Sequence, residues 1–140
     1  MKIDRLDHIH IYCEEPESSA LFYVDHFQAR ERFRNENVHG QTRIFLSLGG
    51  QLLVLGPFPP DIEPAAPPGA GDGAYSNGFG VAHFGLKVQD VEEASQELRD
   101  AGVVLLGDPV HEKTGLSYVY LVAPDGVVVE LTQYAETNRD

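Results

Sequence analysis

Three side chains in this sequence carry chemistry that packing alone explains poorly: His8 in LDHIHIYC, His83 in VAHFGLKV and Glu130 in VVVELTQ. Two imidazoles and one carboxylate are the ligand set of mononuclear non-haem Fe(II) oxygenases, and the same set suits Mn(II), Co(II), Ni(II) or Zn(II). Three protein ligands leave positions open for a bidentate substrate or for O₂. A carboxylate within a run of valines is costly unless it has a partner. Glu130 therefore calls for a metal, or for a cation such as Lys87 or Arg43. A single histidine on a strand is more often hydrogen-bonded than ligating, so the case rests on where the three residues stand.

Their places come from an internal repeat. Each half of the chain reads β-α-β-β-β. The first half runs from LDHIHIYC through EEPESSALFYVDHF, with Pro16 suited to a first helical turn and Ala20, Val24 and Phe27 at helical spacing. Strands follow near 29–36, at 42–48 (TRIFLSL) and at 51–56 (QLLVLG). The second half opens with 81–88 and continues into QDVEEASQELRDAG. There Asp90 and Glu93 start a helix, Val91, Ala94, Leu98 and Ala101 form its stripe, and Gly102 stops it. Further strands are expected near 103–107, at 117–122 (SYVYLV) and at 127–133, the last two joined by the hairpin signal Asp125-Gly126. The opening histidines, His8 and His83, are 75 residues apart, and the closing strands, aligned on Val54 and Glu130, are 76 apart. Matching offsets argue for duplication. The fold class is α+β: two tandem βαβββ modules, at about 4–57 and 80–134, building one domain with a cupped mixed sheet and helices outside.

Strand parity sorts the residues. Ile9, Ile11 and Cys13 oppose His8, His10 and Tyr12. Ile44, Leu46 and Leu48 oppose Arg43, Phe45 and Ser47. Phe84, Leu86 and Val88 oppose His83, Gly85 and Lys87. Val119 and Leu121 oppose Tyr118 and Tyr120, and Val129 and Leu131 oppose Val128, Glu130 and Thr132. One face of each sheet is aliphatic, for helices to cover. The other is rich in imidazole and aromatic groups, which suits a half-open cavity better than a wet surface. On it, His10 is a candidate proton donor or acceptor, or a packed imidazole satisfied by a tyrosine. Tyr120 is a candidate catalytic hydroxyl, with Tyr118 and Phe45 lining the substrate. Arg43 has the planar fork that matches an anionic group, unless a nearby glutamate takes it. His111 and Glu112 fall in the loop DPVHEKTG. His26 suits a helix C-terminus, His39 an exposed turn, and Cys13 the helix-packed face.

Between the halves, residues 57–79 hold six of the nine prolines and four of the fourteen glycines, the composition of a linker or a lid. The charge balance, 10 basic against 22 acidic residues for a net −12, argues against a nucleic-acid partner. No stretch is long enough for a membrane span, the N-terminus does not read as a signal peptide, and a single cysteine fits a reducing cytosol. The expected setting is cytoplasmic, the expected partner a small-molecule substrate.

LDHIHIYCEEPESSALFYVDHF, and then VAHFGLKVQDVEEASQELRDAGV with APDGVVVEL, resemble the first and second modules of the vicinal oxygen chelate superfamily. That group includes glyoxalase I, methylmalonyl-CoA epimerase, extradiol dioxygenases, and the fosfomycin- and bleomycin-resistance proteins. The resemblance spans about residues 5–134, apart from the proline-rich segment. It implies one divalent metal, Fe(II) favoured, on His8, His83 and Glu130. It also implies a homodimer, with modules paired within one chain or swapped between two. Val54 matches the place where glyoxalase I has a further glutamate, so the resemblance leans to dioxygenase-type chemistry over isomerase or lyase chemistry. A metal-free drug-binding protein is the reading from another class.

Overall fold

The computed structural model describes residues 1–64 and 79–135. The chain divides into two compact units, Met1–Ala66 and Pro67–Asp140. The linker-or-lid expectation for the proline-rich segment falls mostly on 65–78, outside the described residues.

In the first unit, β1 (His8–Tyr12) leads to α1 (Pro16–Phe27), then β2 (Arg30–Glu36), β3 (Thr42–Leu48) and β4 (Gln51–Gly56). The sheet order is β1-β4-β3-β2. β1 lies parallel to β4, and the other two pairs are antiparallel. The β3–β4 turn is Gly49-Gly50, both at positive φ, as a tight two-residue hairpin demands. The strict alternation of TRIFLSL is realised: Ile44, Leu46 and Leu48 are buried beneath α1, together with Leu53 and Leu55.

α1 starts at Pro16 as expected and ends in a left-handed Gln28, whose N–H bonds the carbonyl of Tyr23. Its buried face differs from the expected stripe. Ser19, Ala20 and Tyr23 are buried, whereas Val24 faces solvent. Apolar residues occur on several sides of this helix, and the large Tyr23 ring takes the core position at Val24's expense.

The second unit repeats the plan with β5 (Phe84–Lys87), α2 (Val91–Asp100), β6 (Val110–His111), β7 (Ser117–Val122) and β8 (Val128–Gln133), in the order β5-β8-β7-β6. β5 is parallel to β8. Asp90 caps α2, its carboxylate accepting from the Glu92 and Glu93 backbone N–H groups at 2.9 and 3.0 Å. Asp125 (φ 64°) and Gly126 (φ 71°) make the turn into β8. Val119, Leu121, Val129 and Leu131 form the buried aliphatic face.

Two strand expectations need correction. His83 lies one residue before β5 rather than within a strand over 81–88. The strand expected at 103–107 is reduced to a single bridge, Leu105 to Leu121, with backbone bonds from Leu106 and to Val104 on either side. Gly107 (φ 126°) and Pro109 interrupt it, and pairing resumes at Val110–His111, inside the segment expected to be loop.

Candidate functional site

The polar face of the second unit gathers around Glu130. Central β8 places it between Gly85 of β5 and Tyr120 of β7. His83 Nε2 lies 2.9 Å from Glu130 Oε2, with both side chains largely but not wholly covered. The carboxylate among valines thus has an imidazole partner, and Lys87 lies over the Tyr134 ring. The Tyr120 ring packs edge-on against His83 at 5.2 Å and against Tyr118 at 5.6 Å. Burial first, then the Glu130 charge and the neighbouring Tyr118, hold the Tyr120 phenol above its usual range, so it stays a proton donor. Two donor atoms each about 2.1 Å from one ion, at right angles, stand about 3 Å apart. The observed His83–Glu130 separation fits that requirement.

The polar face of the first unit is built in two rows. His10, Val54, Phe45 and Phe33 face one another across β1, β4, β3 and β2. Tyr12, Gly56, Arg43 and Asn35 form the next row. Phe33 and Phe45 stack at 4.2 Å. Arg43 donates from Nε to Asn35 Oδ1 at 2.8 Å and lies 5.8 Å from the Phe45 ring centre. His10 contacts the Tyr12 ring, which meets Phe58 edge-on. Its imidazole is held below the usual range, by desolvation first and then by Arg43 and His8.

His8 is exposed at the start of β1, its Nδ1 2.8 Å from Asp7 Oδ2. A carboxylate on Nδ1 fixes the ring and leaves Nε2 for a ligand, the usual outer support of a metal-binding histidine. Gln51 bonds the carbonyls of Leu6 and Asp7, anchoring the approach to β1, and these residues line a groove with Arg5, Gly50 and Leu52. Of the three expected ligands, the second unit therefore brings together His83 and Glu130, while His8 belongs to the first. The described residues contain no group of three or more His, Cys, Asp or Glu side chains placed to hold a metal ion.

The remaining candidates fall where their chemistry directs. His26, in the last turn of α1, packs on Phe22. His39 is in an exposed turn, and Cys13 is buried. His111 lies between Ser117 Oγ (2.7 Å) and Glu92 Oε1 (2.6 Å), joining β6 and β7 to α2. Asp7, Asn35 and Gly56 were not singled out from the sequence. Gly56 carried a readable signal, a glycine within a strand, which marks close approach by a neighbour.

Comparison with known proteins follows the same lines. The model of the Glyoxalase/Bleomycin resistance protein/Dioxygenase superfamily matches residues 5–131. The chain is 30% identical over 135 residues to the uncharacterized protein YwkD of Bacillus subtilis, covering 94% of this chain and 98% of that one. A glyoxalase family protein from Enterococcus faecalis superposes with a TM-score of 0.73 at 24% identity, over 94% of this chain and 99% of that one. A mutant of the genomically encoded fosfomycin resistance protein FosX from Listeria monocytogenes, complexed with Mn(II) and 1S,2S-dihydroxypropylphosphonic acid, superposes at 0.69 with 16% identity, over 99% and 98%. No helix among the described residues is long and apolar enough to cross a membrane. With repeat, topology and family match in agreement, the chain belongs to the Glyoxalase/Bleomycin resistance protein/Dioxygenase superfamily.

Proposed function

We propose that this protein is a divalent-metal-dependent enzyme acting on a small organic substrate that offers two adjacent oxygens. His83 and Glu130 of the second module and His8 of the first are its metal ligands, with Fe(II) or Mn(II) the fitting ions. The observation that carries the reading is the 2.9 Å approach of His83 Nε2 to Glu130 Oε2, beside Tyr120 and Tyr118. A bound divalent ion would supply Lewis acidity toward the chelating oxygens and a place for O₂.

The chain's own groups do the rest. Asp7 orients His8 through Nδ1. Tyr120, kept protonated, donates to a substrate oxygen beside Glu130. His10 accepts or returns a proton at its ring nitrogen. Arg43, Phe45 and Tyr118 hold the substrate. Val54 offers neither a ligand nor a base where a glutamate would make a proton-shuttling isomerase, which favours dioxygenase-type chemistry. A second reading, isomerase or lyase chemistry on an anionic substrate, draws on one observation: the structurally similar FosX mutant is complexed with Mn(II) and a phosphonic acid.

The test is anaerobic reconstitution with one equivalent of Fe(II), then oxygen uptake with catechol substrates, against a parallel Mn(II)-loaded sample. Oxygen consumption coupled to ring cleavage, and lost in Tyr120→Phe by about tenfold or more, supports the dioxygenase reading. No uptake with any catechol, alongside binding of 1S,2S-dihydroxypropylphosphonic acid by the Mn(II) form, moves the assignment to the second.

A further inference from the structure

The first unit has an arginine whose surroundings are not those of a structural ion pair. Arg43 is half-buried, and its bonds go to neutral acceptors: Nε to Asn35 Oδ1 at 2.8 Å and Nη2, in a long contact, to the Glu36 carbonyl at 3.5 Å. The chain holds 22 acidic residues, yet among the described residues no carboxylate lies within ion-pairing range of it. By contrast, Arg34 takes both Glu17 and Glu31, and Arg99 takes Asp108. A partly desolvated guanidinium oriented by neutral groups keeps its whole charge for a ligand.

Beside it stands a glycine that the backbone does not require. Gly56 ends β4 outside the left-handed region. A Cβ placed on it would come within 3.3 Å of Arg43 Cγ and 3.4 Å of His10 Nε2. Glycine there leaves a notch into which the arginine and the imidazole both lean, walled by Tyr12. The stacked Phe45 and Phe33 rings lie beside it, with Phe33 half exposed.

We propose that Arg43 and His10, over the floor of Gly56, form an oxyanion subsite, and that Phe45 and Phe33 bed an aromatic body attached to that anion. The substrate class is thus an aryl or similarly flat molecule bearing a carboxylate or a phosphoryl group. This deepens the enzyme reading above and rests on it only for taking the ligand to be the substrate. Arg43 contributes a bidentate donor pair and charge, His10 a ring N–H, and Gly56 the room for both.

The experiment is calorimetric titration of the full chain with phenylphosphonate, benzoate and neutral benzamide at constant ionic strength. It is run first after chelator treatment and then with one equivalent of Mn(II). At least one anion is expected to bind the chelator-treated protein about tenfold or more tighter than benzamide, the margin of one charge-assisted contact. The preferred anion identifies the group. Arg43→Gln brings its affinity down to that of benzamide, Gly56→Ala weakens it, and the charge control Lys113→Gln leaves it unchanged. Thermal melts establish that the variants fold, and should Arg43→Gln fail to, Gly56→Ala and Arg43→Lys decide. Equal affinity in the wild type and the Arg43 variant overturns the subsite, as does equal binding of benzamide, or no anion binding at millimolar concentration. Because the chelator-treated protein carries no metal, failure of the metal assignment leaves this result standing, and failure here leaves the metal assignment standing.

Discussion

The two sheets share a plan and differ on one face. Their aliphatic faces are near copies: Leu55 and Leu131 are equivalent, and both are buried on a strand between two others. Their polar faces place opposite chemistry at matching points. Where the first unit has His10 beside Val54, the second has Gly85 beside Glu130. Where the first has Gly56 beneath Arg43, the second has Thr132 beside Tyr118. A duplicated scaffold has kept its core and divided its surface. One half presents an arginine with a neighbouring imidazole, suited to an anion, and the other presents a carboxylate with an imidazole, suited to a metal.

The largest expected effect tests the shared half of that comparison. Leu55→Ala and Leu131→Ala each leave a cavity in a fully packed aliphatic layer, and each should cost about 2–5 kcal/mol of unfolding free energy. Chemical denaturation should find the two losses alike. A near-zero loss at either position would break the equivalence.

The next effect tests the divided half. Val54 is 4% exposed, so Val54→Glu forces a carboxylate into a packed position with no hydrogen bond already arranged for it. The expected loss is about 1–3 kcal/mol. Glu130→Val, the reverse exchange, removes a partly covered carboxylate and should change stability by less than about 1 kcal/mol while abolishing metal binding. If Val54→Glu were neutral and bound a second ion, the division of labour between the faces would be wrong.

The smallest effect concerns α1. Its Glu17 carboxylate accepts from Arg34 of β2, and that hydrogen bond holds it below its usual value of 4.5. A carboxylate depressed in the fold contributes stability that is present above that value and lost as pH falls through the lower folded value. The difference in melting temperature between wild type and Glu17→Gln should therefore be small at pH 7 and shrink further as pH drops below 4.5. A difference that grew with acid would reverse the sign of the account.

How much of this could be read beforehand follows from particular residues. β3 and β4 were legible to the residue because TRIFLSL alternates, QLLVLG is a short apolar run, and a double glycine separates them. α2 was legible from its cap and from Val91 and Leu98, although Ser95 completes its buried side while the expected Ala101 is exposed beyond the helix; α1 was not, since Leu21, Phe22, Tyr23, Val24 and Phe27 leave no unique apolar side. The His83–Glu130 pair was legible through the repeat. The Arg43–Asn35 contact was not, because a register shift in β2 between Glu31 and Phe33 decides which side chains face β3, and no local pattern marks it. Asp7 escaped notice for a simpler reason: a neighbour in sequence supports a histidine only when the chain bends to allow it.

The central claim is that His8, His83 and Glu130 hold one divalent ion. It is tested most directly by metal analysis of tag-free protein purified anaerobically, as wild type and as His8→Ala, His83→Ala and Glu130→Ala, with His39→Ala as control. The account predicts about one iron or manganese per chain in the wild type and control, and a small fraction of that in each of the three variants. A wild type that takes up no metal even after reconstitution, or a Glu130→Ala variant that keeps it, would contradict the claim.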